Sequence, residues 1–180
     1  DPLFVLSSAT VADPEVFARR LTGLETSPVT VDASPHGART IALWEPPVVG
    51  GTPDGVDLAG IRRSATSEAA ELMTDLVIGR VRTLSFVRSR RGAETVAATS
   101  QRLLGEVDPE LVGRVATYRG GYLPEERRAL EDRLRSGDLL GLASTNALEL
   151  GIDIAGLDAV ITVGFPGTRA ALHQQLGRAG

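Results

Sequence analysis

The residues best equipped for chemistry lie in the last third of the chain. Arg178 stands between Gly177 and Gly180, four residues beyond Gln174. A guanidinium keeps its charge at any working pH and donates through a planar fork, so it can neutralise a phosphate, and the flanking glycines leave room for one to approach. Upstream, Leu142-Ala143-Ser144-Thr145-Asn146-Ala147-Leu148-Glu149-Leu150-Gly151-Ile152-Asp153 places two hydroxyls and two carboxylates within one short stretch. Three smaller groups share this character: Arg88-Ser89-Arg90-Arg91, Arg119-Gly120-Gly121 between Tyr118 and Tyr122, and Ser7-Ser8-Ala9-Thr10. A glycine pair beside a strand end lets backbone N–H groups meet a phosphate.

Each group follows a short apolar run. Leu3–Leu6, Thr83–Val87, Arg114–Thr117, Leu139–Ala143 and Ala159–Val163 read as strands, and Val29–Val31 and Thr40–Trp44 as two more. Helical spacing fills the intervals. Asp13 and Pro14 open a helix that Gly23 closes, with Val16, Phe17 and Leu21 on one face. A second runs from Ser67 to Gly79 with Ala69, Leu72, Met73, Leu76 and Val77 on its stripe, and a third from about Gly92 to Leu104. Pro124 opens a fourth through Arg135, where Glu125 and Glu126 in the first turn and Arg133 and Arg135 in the last complement the helix dipole and read as structural. Thr168 caps the last, with Ala171, Leu172, Gln175 and Leu176 at helical spacing. Trp44-Glu45-Pro46-Pro47 stops regular structure, and Val48 to Arg63 reads as a long loop. Such alternation predicts an α/β fold, a mostly parallel sheet covered by helices on both faces. Right-handed crossovers then bring Arg88–Arg90, Tyr118–Gly121, Ser144–Asp153 and Gly164–Gly167 to one edge, the ligand-binding edge of open parallel sheets.

Composition bounds what these groups can do. At 180 residues and 42% hydrophobic, the chain suffices for one good core and not for two full domains. All 19 basic residues are arginine, so a phosphate-binding loop of the G-x-x-x-x-G-K-[ST] kind cannot occur within it. The net charge of −4 means that any nucleic-acid contact must use a local patch. No cysteine and only two histidines leave no thiolate or His-rich metal site, and no metal held by protein ligands alone is expected. No run approaches the roughly 18 apolar residues of a membrane span and no signal peptide is visible, so no membrane partner and a cytoplasmic protein are expected.

Taken together, Leu142 to Asp153 and Gln174-Gln175-Leu176-Gly177-Arg178-Ala179-Gly180 resemble motifs V and VI of superfamily-two helicases, the DEAD/DEAH-type motors. Ser8-Ala9-Thr10 resembles motif III, and Phe86-Val87-Arg88-Ser89-Arg90 motif IV. Taken alone, the first of these is also a plain hydroxyl-capped turn, and the second a solvated basic turn. Tyr118-Arg119-Gly120-Gly121-Tyr122 looks like a helicase Y-H-A-G stretch with Arg119 and Gly120 in place of His and Ala. The wording Trp44-Glu45-Pro46-Pro47 and Asn146 to Asp153 is most similar to the RecQ-four-like DNA repair helicases. The resemblance implies a RecA-like doubly wound fold divided into 1–25 as the tail of a first RecA-like domain, 26–66 as connector and loop, and 67–180 as the second helicase domain, cut inside motif VI. By the same likeness, Arg178 and Gln174 serve catalysis, and Gly151, Asp153, Gln174 and Arg178 face ATP. Ser89, Arg90, Arg119, Gly120 and Thr145 contact single-stranded or partly duplex DNA, and Ser8, Ala9 and Thr10 couple hydrolysis to movement. ATP with Mg2+ is expected to be held mainly by the first RecA-like domain of the same polypeptide. A fragment without the final motif VI arginine and the phosphate loop is expected to be inactive alone. Two alternatives stand beside this reading: a RecA-like nucleic-acid-binding or regulatory module without its own ATPase activity, and another nucleotide-dependent α/β enzyme, disfavoured because no G-x-G-x-x-G follows a strand.

Overall fold

The computed structural model describes residues 3–31, 33, 37–49, 61–148 and 156–180. Its centre is a four-stranded sheet in the order β2-β3-β1-β4, built from β1 (Thr83–Val87), β2 (Val115–Tyr118), β3 (Gly141–Ser144) and β4 (Ala159–Val163). Every neighbouring pair is parallel. The strands expected from residue 83 onward all form, with β2 and β3 displaced toward the carboxyl side by a residue or two.

Among the described residues five α-helices accompany the sheet: α1 (Pro14–Thr22), α2 (Ala65–Ile78), α3 (Arg90–Val107), α4 (Pro124–Arg135) and α5 (Arg169–Leu176). Parallel neighbours cannot be joined by a tight turn, and α3 and α4 supply the crossovers from β1 to β2 and from β2 to β3. Hydroxyl caps set the starts. The Ser64 hydroxyl accepts from the Ser67 amide at 3.1 Å, so α2 begins ahead of the Ser67 that periodicity pointed to. The Ser89 hydroxyl accepts from the Gly92 amide at 3.0 Å, so α3 begins at Arg90 rather than Gly92. The charges at both ends of α4 act as expected: Glu126 accepts from the Leu123 amide at 2.9 Å, and Arg133 donates to Asp138 at 2.6 Å.

Side chains alternate across each strand, and both faces are covered. On one face Val87 and Ala143 pack against Ala69, Met73 and Val77 of α2 and Ala93, Val96 and Leu104 of α3. The other face joins Leu84, Phe86, Tyr118 and Leu142 to Leu134 of α4, with Leu148 and Leu157 from the connecting segments. Small residues let α2 approach closely: a Cβ on Gly141 would lie 3.0 Å from Val115, 3.1 Å from Val77 and 3.3 Å from Met73.

The N-terminal third departs from expectation. Leu3–Leu6 is not a buried strand: Leu3 is 90% exposed, and the run has no ladder partner among the described residues. Val29–Val31 and Thr40–Trp44 are likewise exposed and unpaired, with Leu43 at 99%. β-propensity measures fit to a half-buried sheet surface and does not create one. Helix α1 forms where expected and ends at Gly23, whose φ of 74° suits a left-handed cap. Its face of Val16, Phe17 and Leu21 is nevertheless exposed, and only Ala18 is buried. The long loop is closed at its base by an antiparallel bridge between Val48 and Arg62, while residues 50–60 lie outside the described residues.

Candidate functional site

Because the strands are parallel, their carboxyl ends share one rim. Tyr118, Ser144, Phe86 and Thr162 lie in one row across it, so Arg119, Thr145 and Arg88 leave the sheet side by side. A polar recess of about 160 Å³ opens there, lined by Phe86, Arg88, Asn146, Thr162, Gly164 and Gln175 among others. The Ser144 and Thr162 hydroxyls beneath the rim are buried with no hydrogen-bond partner among the described residues.

The five rim residues expected to touch nucleic acid are differently placed. Arg90 is exposed at the start of α3, whose first turn holds no acidic residue, so the positive end of the helix dipole stands with Arg88, Arg90 and Arg91. The Ser89 hydroxyl is already engaged as the α3 cap, and Thr145 is half-buried directly after β3. Arg119 sits 3.0 Å from Glu94 and 5.7 Å from the ring centre of Tyr122. Both partners of that ion pair are more than two-fifths exposed, and such pairs contribute only about 0–1 kcal/mol, so a phosphate can displace the carboxylate. Gly120 does not take a positive φ, and a Cβ there would meet only Ala147, at 3.8 Å. Its backbone conformation therefore does not require glycine.

A second concavity lies along the free edge of β4. It is an open crevice of about 1750 Å³ lined by Asp158–Thr162 of the sheet edge, by Gln174, Gly177 and Arg178, and by Ser7–Thr10 and Ala38–Trp44. Arg178 and Gln174 thus face the crevice that Ser8, Ala9 and Thr10 also line. The Arg178 backbone is fixed by a 3.1 Å bond to the Gln175 carbonyl, and Gly180 by a 3.0 Å bond to the Leu157 carbonyl. Gly151 and Asp153, expected at this crevice, lie outside the described residues.

Helix α5 joins the two places. Gln174 and Arg178 line the crevice, whereas the buried Gln175 lines the rim recess, and Thr162 and Gly164 line both. Sequence reasoning treated Gln175 as core spacing and left Asn146 without a role. The signal for Gln175 was a second amide beside Gln174 on a short helix.

Among the described residues two ionisable groups are shifted. The Tyr118 hydroxyl is pushed above its usual range by burial, then by its 3.0 Å hydrogen bond to Glu131. The hydrogen bond from Arg133 holds the Asp138 carboxyl below the usual range, with Arg114 adding its charge. Both fasten α4 and the entry to β3, and neither lines the rim recess or the crevice.

The sequence profile of the helicase conserved C-terminal domain matches residues 68–180. A Bacillus subtilis protein described as the uncharacterized ATP-dependent helicase YprA is 41% identical over 181 residues, covering 100% of this chain and 23% of the relative. The ATP-dependent helicase hrq1 of Schizosaccharomyces pombe is 40% identical over 179 residues, covering 98% of this chain and 16% of the relative. The crystal structure of the DUF1998 helicase MrfA bound to DNA and AMPPNP superposes with a TM-score of 0.86 at 40% identity, over 100% of this chain and 24% of that one. The chain therefore spans less than a quarter of the length of these relatives.

Proposed function

Because this chain belongs to the helicase conserved C-terminal domain family, we propose that it works as the second motor lobe of a longer ATP-dependent DNA helicase or translocase. One observation carries the reading: Arg178 and Gln174 line the same crevice as Ser8–Thr10, along the edge of β4, while Arg90, Arg119 and Thr145 lie just beyond the carboxyl ends of β1, β2 and β3. A motor needs that separation, with fuel on one side, track on the other, and a rigid element between them.

The crevice fits the arginine-bearing half of a nucleotide site. It is larger than the roughly 300–1,000 Å³ of a small-molecule pocket, which leaves room for a nucleotide and the facing surface of another lobe. It offers an amide from α5, Gln174, and an arginine just beyond it, Arg178. In this reading a first RecA-like lobe of the same polypeptide holds ATP with Mg2+, and ATP hydrolysis supplies the driving free energy. Arg178 donates to phosphate oxygens as negative charge grows there, a contribution worth about 10³–10⁵ in rate in related phosphoryl-transfer systems. Gln174 takes part in catalysis beside it, Gly151 and Asp153 face ATP, and Ser8–Thr10 couple hydrolysis to movement. The division into 1–25, 26–66 and 67–180 belongs to the same proposal; α2 starting at Ala65 supports its second boundary.

At the rim, Arg90 and Arg119 hold the DNA backbone electrostatically, Ser89 and Thr145 through hydroxyls, and Gly120 by close backbone approach. Contacts of this kind read charge rather than sequence and weaken steeply with salt. Single-stranded or partly duplex DNA is the proposed track, supported by the DNA in the MrfA structure. A cytoplasmic place and a part in DNA repair complete the proposal. No helix among the described residues is long and apolar enough to cross a membrane.

The test uses the longer polypeptide. ATP hydrolysis should depend on single-stranded DNA, and a partly duplex substrate should be unwound; absence of both would end the reading. Arg119→Ala should weaken DNA binding and flatten the dependence of log K on log salt by about 0.7 for the lost phosphate contact. An unchanged slope would remove Arg119 from the interface.

A further inference from the structure

The segment before α2 is fastened in a way the motor reading does not explain. Glu68, in the first turn of α2, is 7% exposed, and its carboxylate accepts the Trp44 indole N–H at 2.9 Å. Arg63 lies 3.4 Å from the other oxygen and also pairs with Glu71. Around this point two backbone segments are clipped together. The Val49 amide donates to the Ile61 carbonyl at 2.8 Å, and the Arg63 amide to the Pro47 carbonyl at 3.0 Å. Arg62 reaches the Pro46 carbonyl and the Glu45 carboxylate, each at 2.8 Å.

A carboxylate this buried is destabilising unless it is paired, and an apolar side chain would hold α2 at least as well. What it supplies is direction: one acceptor, placed by a helix, that fixes the ring of Trp44. Pro46 and Pro47 stiffen the turn that follows. Ala38–Trp44 lines the crevice that Arg178 also lines, and this stretch ends at the clip. Upstream, the described part of residues 24–43 contains no helix or strand.

We propose that Glu68 is a positioning residue: through Trp44 it pins the connector to α2, fixes the lining of the crevice that Arg178 also lines, and sets the start of the second lobe's rigid body at Trp44. This rests on the motor reading above. The Val49–Ile61 and Arg63–Pro47 backbone bonds remain when the Glu68–Trp44 bond is broken, so the loss is confined to the stretch ahead of Pro46 and shows as a displaced crevice lining rather than as a longer tether.

Trp44 is the sole tryptophan of the chain, so its fluorescence reports the clasp without any assumption about activity. In the 180-residue chain, Glu68→Ala should lower the Trp44 anisotropy and raise its quenching by acrylamide, while Glu68→Gln, whose amide oxygen still accepts, should keep both near wild type. In the longer polypeptide, Glu68→Ala and Trp44→Phe should each lower DNA-stimulated kcat, by up to about 10²-fold for a shift of about 1 Å in the crevice lining, with KM for ATP unchanged, and Glu68→Gln should keep it near wild type. Trp44→Phe leaves α2 untouched and carries the kinetic test if Glu68→Ala fails to fold by circular dichroism. Unchanged anisotropy in a folded Glu68→Ala protein would overturn the clasp. Lowered anisotropy with unchanged kcat in both variants would overturn the positioning role. Wild-type protein without ATP hydrolysis would instead sink the motor reading, and the anisotropy comparison would still decide the clasp.

Discussion

Thr83-Leu84-Ser85-Phe86-Val87 and Leu3-Phe4-Val5-Leu6 are similar apolar runs with opposite fates. Every residue of the first is buried between parallel neighbours, whereas every residue of the second is exposed. The difference lies in what surrounds them: β1 has β3 and β4 on either side and helices on both faces, and the N-terminal run has no described strand beside it. The apolar residues of α1, Val29–Val31 and Ile41–Trp44 are exposed as well, and together they form the apolar strip of the N-terminal third. In the proposed motor, the first lobe is the surface that covers part of it.

Substitutions can break that contrast, and the largest effect belongs to the sheet. Leu142→Ala, at a fully buried position, is expected to cost about 2–5 kcal/mol of unfolding free energy, and Leu43→Ala at most about 0.5 kcal/mol, both read by urea titration. Equal costs would mean that the strip is packed as firmly as the core. Next, Gly141→Ala should destabilise by about 1–3 kcal/mol because its new methyl meets Val115, Val77 and Met73 within 3.3 Å. Gly120→Ala, with Ala147 at 3.8 Å, should be nearly silent in stability and so isolates any loss of DNA binding.

The smallest effect is a pH dependence. With the Tyr118 pKa raised in the folded state, the neutral hydroxyl is favoured there, so its contribution is fully present below the usual tyrosine value of about 10 and is lost as pH rises through the folded value. The stability gap between wild type and Tyr118→Phe should therefore shrink above pH 10. A gap constant to higher pH would show that the Glu131 bond contributes nothing.

Much of the sheet was legible because its signals are local. Pro14, Pro124 and Thr168 mark helix starts by fixed dihedral or cap chemistry, and each helix begins where its signal stands. The shared rim followed from strand order alone. Partnership was illegible. Nothing in Leu3–Leu6 says whether a neighbouring strand exists, and nothing in the spacing of Trp44 and Glu68 says that they meet. Ser89 read as a ligand hydroxyl, yet its first role is to cap α3, a use that the same residue type serves equally well.

The most direct measurement is single-turnover ATP hydrolysis by Arg178→Ala in the longer polypeptide, with single-stranded DNA affinity measured alongside. Hydrolysis should fall by about 10³-fold or more while DNA affinity stays at the wild-type value. Wild-type hydrolysis, or a loss of DNA binding equal to the loss of rate, would contradict the placement of Arg178 on the fuel side of the sheet.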